Sequence, residues 1–259
     1  IILFTADGHF YFNEIKKQWE KISWLSETIN NNGFNTAVAV SKDRSVYVYE
    51  QKVTVVDYKI QKIILEKDIP NAVTACRYND NAIAVATRHG NVSVIDITTQ
   101  QDLKTYYIYN ENDGKKSSPR VTEMIKASNG NLAIATILTG LNVIDSVTGS
   151  VNIYKHDPLN SASVSANVLY RVFCGKDGDL VVGTQSSGVS ICNINNKTAV
   201  YKKIFRDTKG NIFDGHINTM AEDKDGFLWI TALDRLIRWD KKNNISTFYQ
   251  YFFNDPGLG

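Results

Sequence analysis

Residues 223–240 read DKDGFLWITALDRLIRWD. An Asp-Gly pair leads into two short apolar runs, FLWI and LIRW, and an Asp closes the stretch. Asp-Gly is favoured tight-turn chemistry. Short runs of β-branched and aromatic residues have the length and composition of strands. If this hairpin is unique it is a candidate site; if it recurs it is architecture.

It recurs. Moving upstream, the closing strand is matched by SICN at 190–193, NVID at 142–145, SVID at 93–96, TVVD at 54–57 and FYFN at 10–13. Each ends in Asp or Asn: Asn13, Asp57, Asp96, Asp145, Asn193 and Asp240. These landmarks stand about 40–50 residues apart, the period of an array built from four-stranded units. Seven to nine residues before each lies the end of another apolar run, at Thr5, Glu50, Thr87, Thr136, Thr184 and Ala232. An earlier run precedes that one in all units but the first, and a fourth follows each landmark. The Asp or Asn has a local reason to be there, since its side chain can accept a backbone bond two residues on and start the turn into the fourth strand. Asp-Gly at 177–178 and 225–226, and Asn-Gly at 129–130, favour the turn between the first two strands.

Four short strands per repeat predict an all-β chain of β-propeller type, with four-stranded antiparallel blades. The expected units are 1–33, 34–71, 72–119, 120–166, 167–215 and 216–259, six in all, making a single propeller domain or a fragment of one. The first unit lacks its innermost strand, which is expected to precede Ile1, and the tail YFFNDPGLG runs toward what would be another blade. Both ends read as cut from a larger array. A sandwich predicts no period, and a parallel β-helix has shorter coils.

Composition narrows the function. With 29 Lys and Arg against 27 Asp and Glu, the net charge is +2. No basic run exceeds a Lys pair, so nucleic acid is not an expected partner. Nothing approaches the ~18–20 apolar residues of a membrane helix, and the chain begins without Met or signal peptide, as a mature or excised piece would. Cys76, Cys174 and Cys192 have no metal-ligand spacing and are read as buried free thiols. His9, His89, His156 and His216 are scattered singly over four units, so no metal is expected. No nucleophile elbow, zinc motif or phosphate loop occurs. Most acids stand at turn positions such as Asp96, Asp145 and Asp240. No catalytic residue and no cofactor is therefore assigned.

A binding face is better supported. Connections from a fourth strand to the next first strand share one face with the tips joining second to third strands. The variable connections are roughly 24–34, 66–72, 107–120, 155–167 and 205–216, and long loops on a rigid scaffold often carry function. The tips carry Arg88, His89, Gln185, Asp234 and Arg235; the connections add Trp24, Tyr109 and His216. Planar polar groups beside aromatic rings suit sugar hydroxyls and C–H faces, so these eight residues are the expected lining. Trp229 and Trp239 lie within strands and are expected to pack blades.

DGFLWIT followed by LIRWD resembles the two-component regulator propeller repeat. DGDLVVGTQSSGVSICN at 177–193 matches again with Gly183, Thr184 and Gly188 in place, and NGNLAIATILTGLNVID at 129–145 keeps Thr136, Gly140 and Leu141. The stretch YKHDPLNSASVSANVL at 154–169 resembles the family's entry into the next blade and accounts for His156. There are departures: Thr231-Ala232 replaces Gly-Thr, Leu233-Asp234-Arg235 replaces a Gly-rich tip, and Tyr47 stands where Trp is usual. The resemblance implies the extracytoplasmic, periplasmic sensor domain of a Bacteroidetes hybrid two-component histidine kinase that detects glycan fragments. It further implies an adjacent propeller and an immunoglobulin-like domain as neighbours, and a homodimeric parent receptor. The alternatives are a protein-interaction scaffold without small ligand, like WD-repeat propellers, and a propeller lyase or hydrolase.

Overall fold

A computed structural model of the protein describes residues 2–250 apart from 6, 7, 14, 29–33, 113, 114, 194–197, 203, 204, 214 and 233. Among the described residues the chain is almost wholly β. It forms one three-stranded sheet, five four-stranded sheets, two two-stranded ribbons and a helix of 6 residues. Each sheet follows chain order. The first holds Ile2–Thr5, Gly8–Asn13 and Gln18–Lys21. The second holds Phe34–Ala39, Arg44–Tyr49, Lys52–Asp57 and Lys62–Asp68. The third runs from Ala72–Asn79 to Asp102–Tyr107, and the fourth from Val121–Lys126 to Val151–Tyr154. The fifth runs from Leu169–Cys174 to Thr198–Lys202, and the sixth from Ile217–Glu222 to Ile245–Gln250. The six repeats read from the sequence are thus six sheets, with the first one strand short.

The landmark side chains close the turns as expected. Oδ1 of Asp96 accepts from the Thr98 and Thr99 amides at 2.9 and 2.7 Å. Asp145 accepts from Val147 and Thr148 at 2.9 and 2.8 Å, and Asp240 from Lys242 and Asn243 at 3.0 and 3.0 Å. Asn13 and Asp57 make the same pair of bonds. Asn193 precedes residues outside the described set. Four residues after each of these five landmarks the backbone turns left-handed, at Lys17, Gln61, Gln100, Gly149 and Asn244, with φ between 53° and 77°. The side-chain acceptor fixes the first half of the turn, and the left-handed residue returns the chain into the fourth strand.

A second repeated device sits on the innermost strands. In the second to sixth sheets the register between first and second strands slips near the start of the first strand, at Phe34/Thr36, Ala72/Thr74, Val121/Glu123, Leu169/Arg171 and Ile217/Thr219, and the third sheet slips again at Arg77/Asn79. One residue bulges at the same place in each of these repeats. The bulged Asn35 donates from Nδ2 to the Ala72 carbonyl at 2.8 Å, and the bulged Thr122 donates from Oγ1 toward the Leu169 carbonyl at 2.9 Å. Each therefore reaches the equivalent point of the following sheet.

The chain divides into two compact units, residues 1–87 with 94–104, and residues 88–93 with 105–259. In the first unit Val46, Val48, Val53, Val55 and Leu65 pack with Ala75, Ile83, Val85 and Ile95. In the second unit Ala133, Leu141 and Val143 pack with Leu169, Val172, Leu180 and Val182. Val181 and Val189 point the other way, onto Ile217, Ile230, Ile237 and Trp239. A middle strand covered on both faces needs no polar residue, which is why LVVGT is wholly buried and its period of two disappears. In the sixth sheet LWITA alternates between buried and half-buried residues.

Four connections differ from the loops expected. Residues 23–28 form the short helix, because burying Leu25 beside Tyr47 and Val56 fastens the chain there. Within 107–120, Asn110–Asn112 pairs with Lys115–Ser117; within 205–216, Phe205–Arg206 pairs with Ile212–Phe213. The connection expected at 66–72 is shorter than that span, since the strand before it continues through Asp68. The tail 251–259 lies outside the described residues.

Candidate ligand-binding site

In the first unit the cleft of interest has a volume of about 680 Å³ and is lined by Tyr11, Lys21, Ile22, Ser23, Trp24, Lys42, Tyr58 and Gln61. The fold assembles it from three turns. Ile22 donates its amide to the His9 carbonyl at 2.7 Å, and Leu25 donates to the Ile22 carbonyl, so the helix begins at a fixed point. Leu25 fills the core, which turns the neighbouring Trp24 to the rim, half-buried. Its indole meets the Tyr58 ring edge-on at 6.4 Å. Tyr58 follows the landmark Asp57, its amide held by the Asp43 carbonyl at 2.8 Å and its hydroxyl 3.1 Å from that of buried Tyr47. The Asp57 turn therefore presents both Tyr58 and the left-handed Gln61. Tyr47, in the position where Trp is usual, is a structural support whose hydroxyl is pushed up by burial. Fully buried His9 stands edge-on to it at 5.5 Å.

The sequence groups Trp24 with hairpin-tip residues. Its neighbours in the fold are instead Tyr58 and Gln61 of a landmark turn and Lys42 of the turn before Arg44. Sequence reasoning missed Tyr11, Lys21, Lys42, Tyr58 and Gln61. The available signal was that Tyr58 directly follows a landmark, but its meeting with Trp24 depends on sheet packing.

The other expected lining residues lie in the second unit. Arg88 and His89 are exposed on the tip Arg88-His89-Gly90. The Arg88 carbonyl accepts from the Val121 amide at 3.1 Å, and Gly90, at φ +95°, accepts from Ile108 at 2.9 Å. A Cβ at Gly90 would lie 2.0 Å from the Ile108 oxygen, so only glycine fits. Gln185 is exposed on the next-but-one tip, its amide donating to the Val168 carbonyl at 3.3 Å. Tips and entry connections thus do share a face in this unit. His216 is half-buried with its ring against Tyr170 at 4.9 Å. The Lys116 ammonium lies 4.0 Å over the Tyr109 ring. Asp234 and Arg235 bond each other, with Nε to Oδ1 at 2.9 Å. The Arg235 guanidinium lies 5.4 Å from the Phe213 ring and 5.5 Å from that of Phe248. That makes Arg235 a packing residue of the sixth sheet. Leu233 lies outside the described residues. Among the described residues of this unit, Asp234 and Arg235 are the expected lining residues in direct side-chain contact with each other.

The remaining sequence features are structural. His156 Nδ1 lies 2.8 Å from the Val164 carbonyl, and its amide donates to Asn167 Oδ1 at 2.7 Å. Ser165 bonds Ser187 and Ser190. The entry motif is therefore a loop tied to itself and to the fifth sheet. Trp239 is buried with Phe205 edge-on at 5.3 Å. Trp229 stacks on Tyr249 at 5.7 Å and donates Nε1 to Asp223 at 2.8 Å. Cys76 and Cys192 are buried thiols, whereas Cys174 is half-buried, its strand position lying nearer the sheet end. Among the described residues no group of three His, Cys, Asp or Glu is arranged to hold a metal. No described helix is long and apolar enough to cross a membrane.

Residues 211–234 match the two component regulator propeller family; that segment holds the first two strands of the sixth sheet. No curated protein matches the chain in sequence. Among solved structures, the chain superposes on the extracellular domain of the putative hybrid two component system BT4673 from B. thetaiotaomicron with a TM-score of 0.71 and 10% identity. That match covers 98% of this chain and 32% of the other, so the chain spans about a third of its length. Streptogramin B lyase is matched at 0.65 and 13% identity, over 97% of this chain and 78% of that one. The Cps50 (Swd1) β-propeller domain of Myceliophteria thermophila is matched at 0.58 and 14% identity, over 81% and 67%. At these identities the likeness is one of fold. The chain has a β-propeller-type fold of four-stranded sheets, and its residues 211–234 match the two component regulator propeller repeat.

Proposed function

We propose that the chain is a non-enzymatic sensor module of a hybrid two-component histidine kinase, which binds glycan fragments in the periplasm and passes that event to the kinase across the membrane. In the parent receptor it would neighbour a second propeller and an immunoglobulin-like domain and work as a homodimer, whose equilibrium the ligand shifts. The observation that carries the binding step is the cleft at Trp24. Tyr11, Trp24 and Tyr58 supply ring surface, while Ser23, Gln61 and two lysines supply polar groups. An apolar concavity with a few convergent polar groups is the usual form of a small-ligand site. Two findings support the receptor context: the family repeat at 211–234, and the fold shared at a TM-score of 0.71 with the extracellular domain of a putative hybrid two component system.

The test is a panel of oligosaccharides titrated by calorimetry into the protein and its Trp24→Ala variant, with the recovered sugar examined by chromatography. Binding that is lost in the variant, with the sugar unchanged, is the expected result. Cleaved or eliminated product would make the chain an enzyme. No binding from any sugar, with self-association or protein capture instead, would make it an interaction scaffold.

A further inference from the structure

Resting on the glycan reading of the Trp24 cleft, we infer that the cleft selects sugars bearing carboxylate or sulfate groups. Among the described residues its lining contains two cations, Lys21 and Lys42, and no carboxylate. Both lysines are exposed, and neither forms an ion pair with a described residue. Glu20, beside Lys21, is already engaged. It accepts from Lys16 Nζ at 2.8 Å, from the Tyr11 hydroxyl and from Asn13 Nδ2 at 3.1 Å, which hold its carboxyl down to about 2. Asp57, on the turn that carries Tyr58 and Gln61, is likewise taken by Arg44 at 2.8 Å and by the Lys59 and Ile60 amides. Glu20 and Asp57 are thus occupied by other partners, while Asp43, next to Lys42, is not part of the lining and pairs with neither lysine, so the described lining is net positive.

A neutral sugar could use the rings but would leave both ammonium groups facing only its hydroxyls. An acidic sugar stacks a pyranose face on Trp24 and Tyr58 and pairs its anionic groups with Lys21 and Lys42. Because both lysines are solvated, their effect is selectivity of modest size and strong salt dependence.

Three ligands of matched length separate the possibilities: galactotetraose, tetragalacturonate and a sulfated galactotetraose. Calorimetry on the full chain at low salt should give tighter binding for one or both acidic ligands than for the neutral one, with the advantage shrinking as NaCl is raised. The two acidic arms tell carboxylate from sulfate. Lys21→Gln and Lys42→Gln should each weaken the acidic ligand about two- to fivefold and leave the neutral one unchanged. Melting curves check that both variants remain folded. Equal binding of neutral and acidic ligands, or lysine variants that leave acidic binding intact, would overturn the selectivity while leaving the glycan reading standing. If none of the three ligands binds and a wider neutral panel also fails, the glycan reading falls and takes this inference with it.

Discussion

The Thr122 hydroxyl lies 2.9 Å from the Leu169 carbonyl, 47 residues on, and 3.0 Å from the Ala135 carbonyl of its own sheet. It sits on the bulge of one innermost strand and reaches the residue just before the bulge of the next. Asn35 does the same to Ala72 in the first unit. Arg171 and Glu123 extend the seam, with Arg171 Nε donating to the Asn218 carbonyl at 2.6 Å and the Val172 amide donating to Glu123 at 2.7 Å. The bulge thus turns one of these side chains out of its own ladder and into the neighbouring sheet.

Thr122→Val keeps shape and removes the donor, so it should lower stability by about 1 kcal/mol. For a chain of this size that is a melting-temperature loss of about 2–4 °C. Thr122→Ser should retain most of the stability. A valine variant that melts with the wild type would show that the bulge bond contributes nothing.

Gln100 follows Asp96 by four residues and holds φ at 60°. A side chain in the left-handed region costs roughly 1–2 kcal/mol, which glycine avoids at some entropic cost in the unfolded chain. Gln100→Gly is expected to stabilise by about 0.5–1 kcal/mol in urea unfolding, and Gln100→Ala to give no gain. Gly149, already in the equivalent place after Asp145, should tolerate Ala poorly.

The carboxyls of Asp96, Asp145 and Asp240 are held below the ordinary value by the amides of Thr99, Thr148 and Asn243 respectively. A depressed folded-state pKa favours the folded protein above the unfolded value, near ~3.9, and that contribution is lost as pH falls through the folded pKa. The part of the urea midpoint owed to these three carboxyls should therefore be constant from neutral pH down to about 5 and be lost below about 4, as a comparison with the Asp→Asn variants across that range would read. Asp96→Asn, which keeps an acceptor but no charge, should flatten part of that fall.

Arg235 is expected to act on stability rather than binding. Its guanidinium lies between Phe213 and Phe248, with a side chain 19% exposed. Arg235→Ala should cost about 1–2 kcal/mol through lost packing and cation–π contact. Arg235→Lys should recover only part of it, because an ammonium does not stack as a plane. Asp234→Ala should cost less, its side chain being 57% exposed. Unchanged melting with lost ligand binding would return the tip to the binding face.

The Cys192 thiol is pushed up to about 12 by burial. Alkylation of the native protein near pH ~8, below the ordinary thiol value, should leave it unmodified while half-buried Cys174 reacts slowly, as peptide mass spectrometry after a timed quench would report. Equal labelling of both would mean that the fifth sheet opens readily.

The repeat is written in the chain itself. Period, strand composition and the Asp or Asn landmark are local properties, and a turn closed by a side chain two residues away is decided by neighbours in sequence. That is why six units, their order and the three strands of the first are legible from the residues alone. The candidate binding residues are less so. Strand order alone places Arg88 and Gln185 on the tips, but Arg235 on the same kind of tip is held down by Phe213 and Phe248, which are distant in sequence. Tyr109 carries Lys116 over its ring because a connection folded into a ribbon. The Trp24 cleft exists because burying Leu25 beside Tyr47 and Val56 swings a helix toward the Asp57 turn. Such meetings belong to the fold, because which side chain is covered depends on packing between elements whose separation along the chain carries no signal.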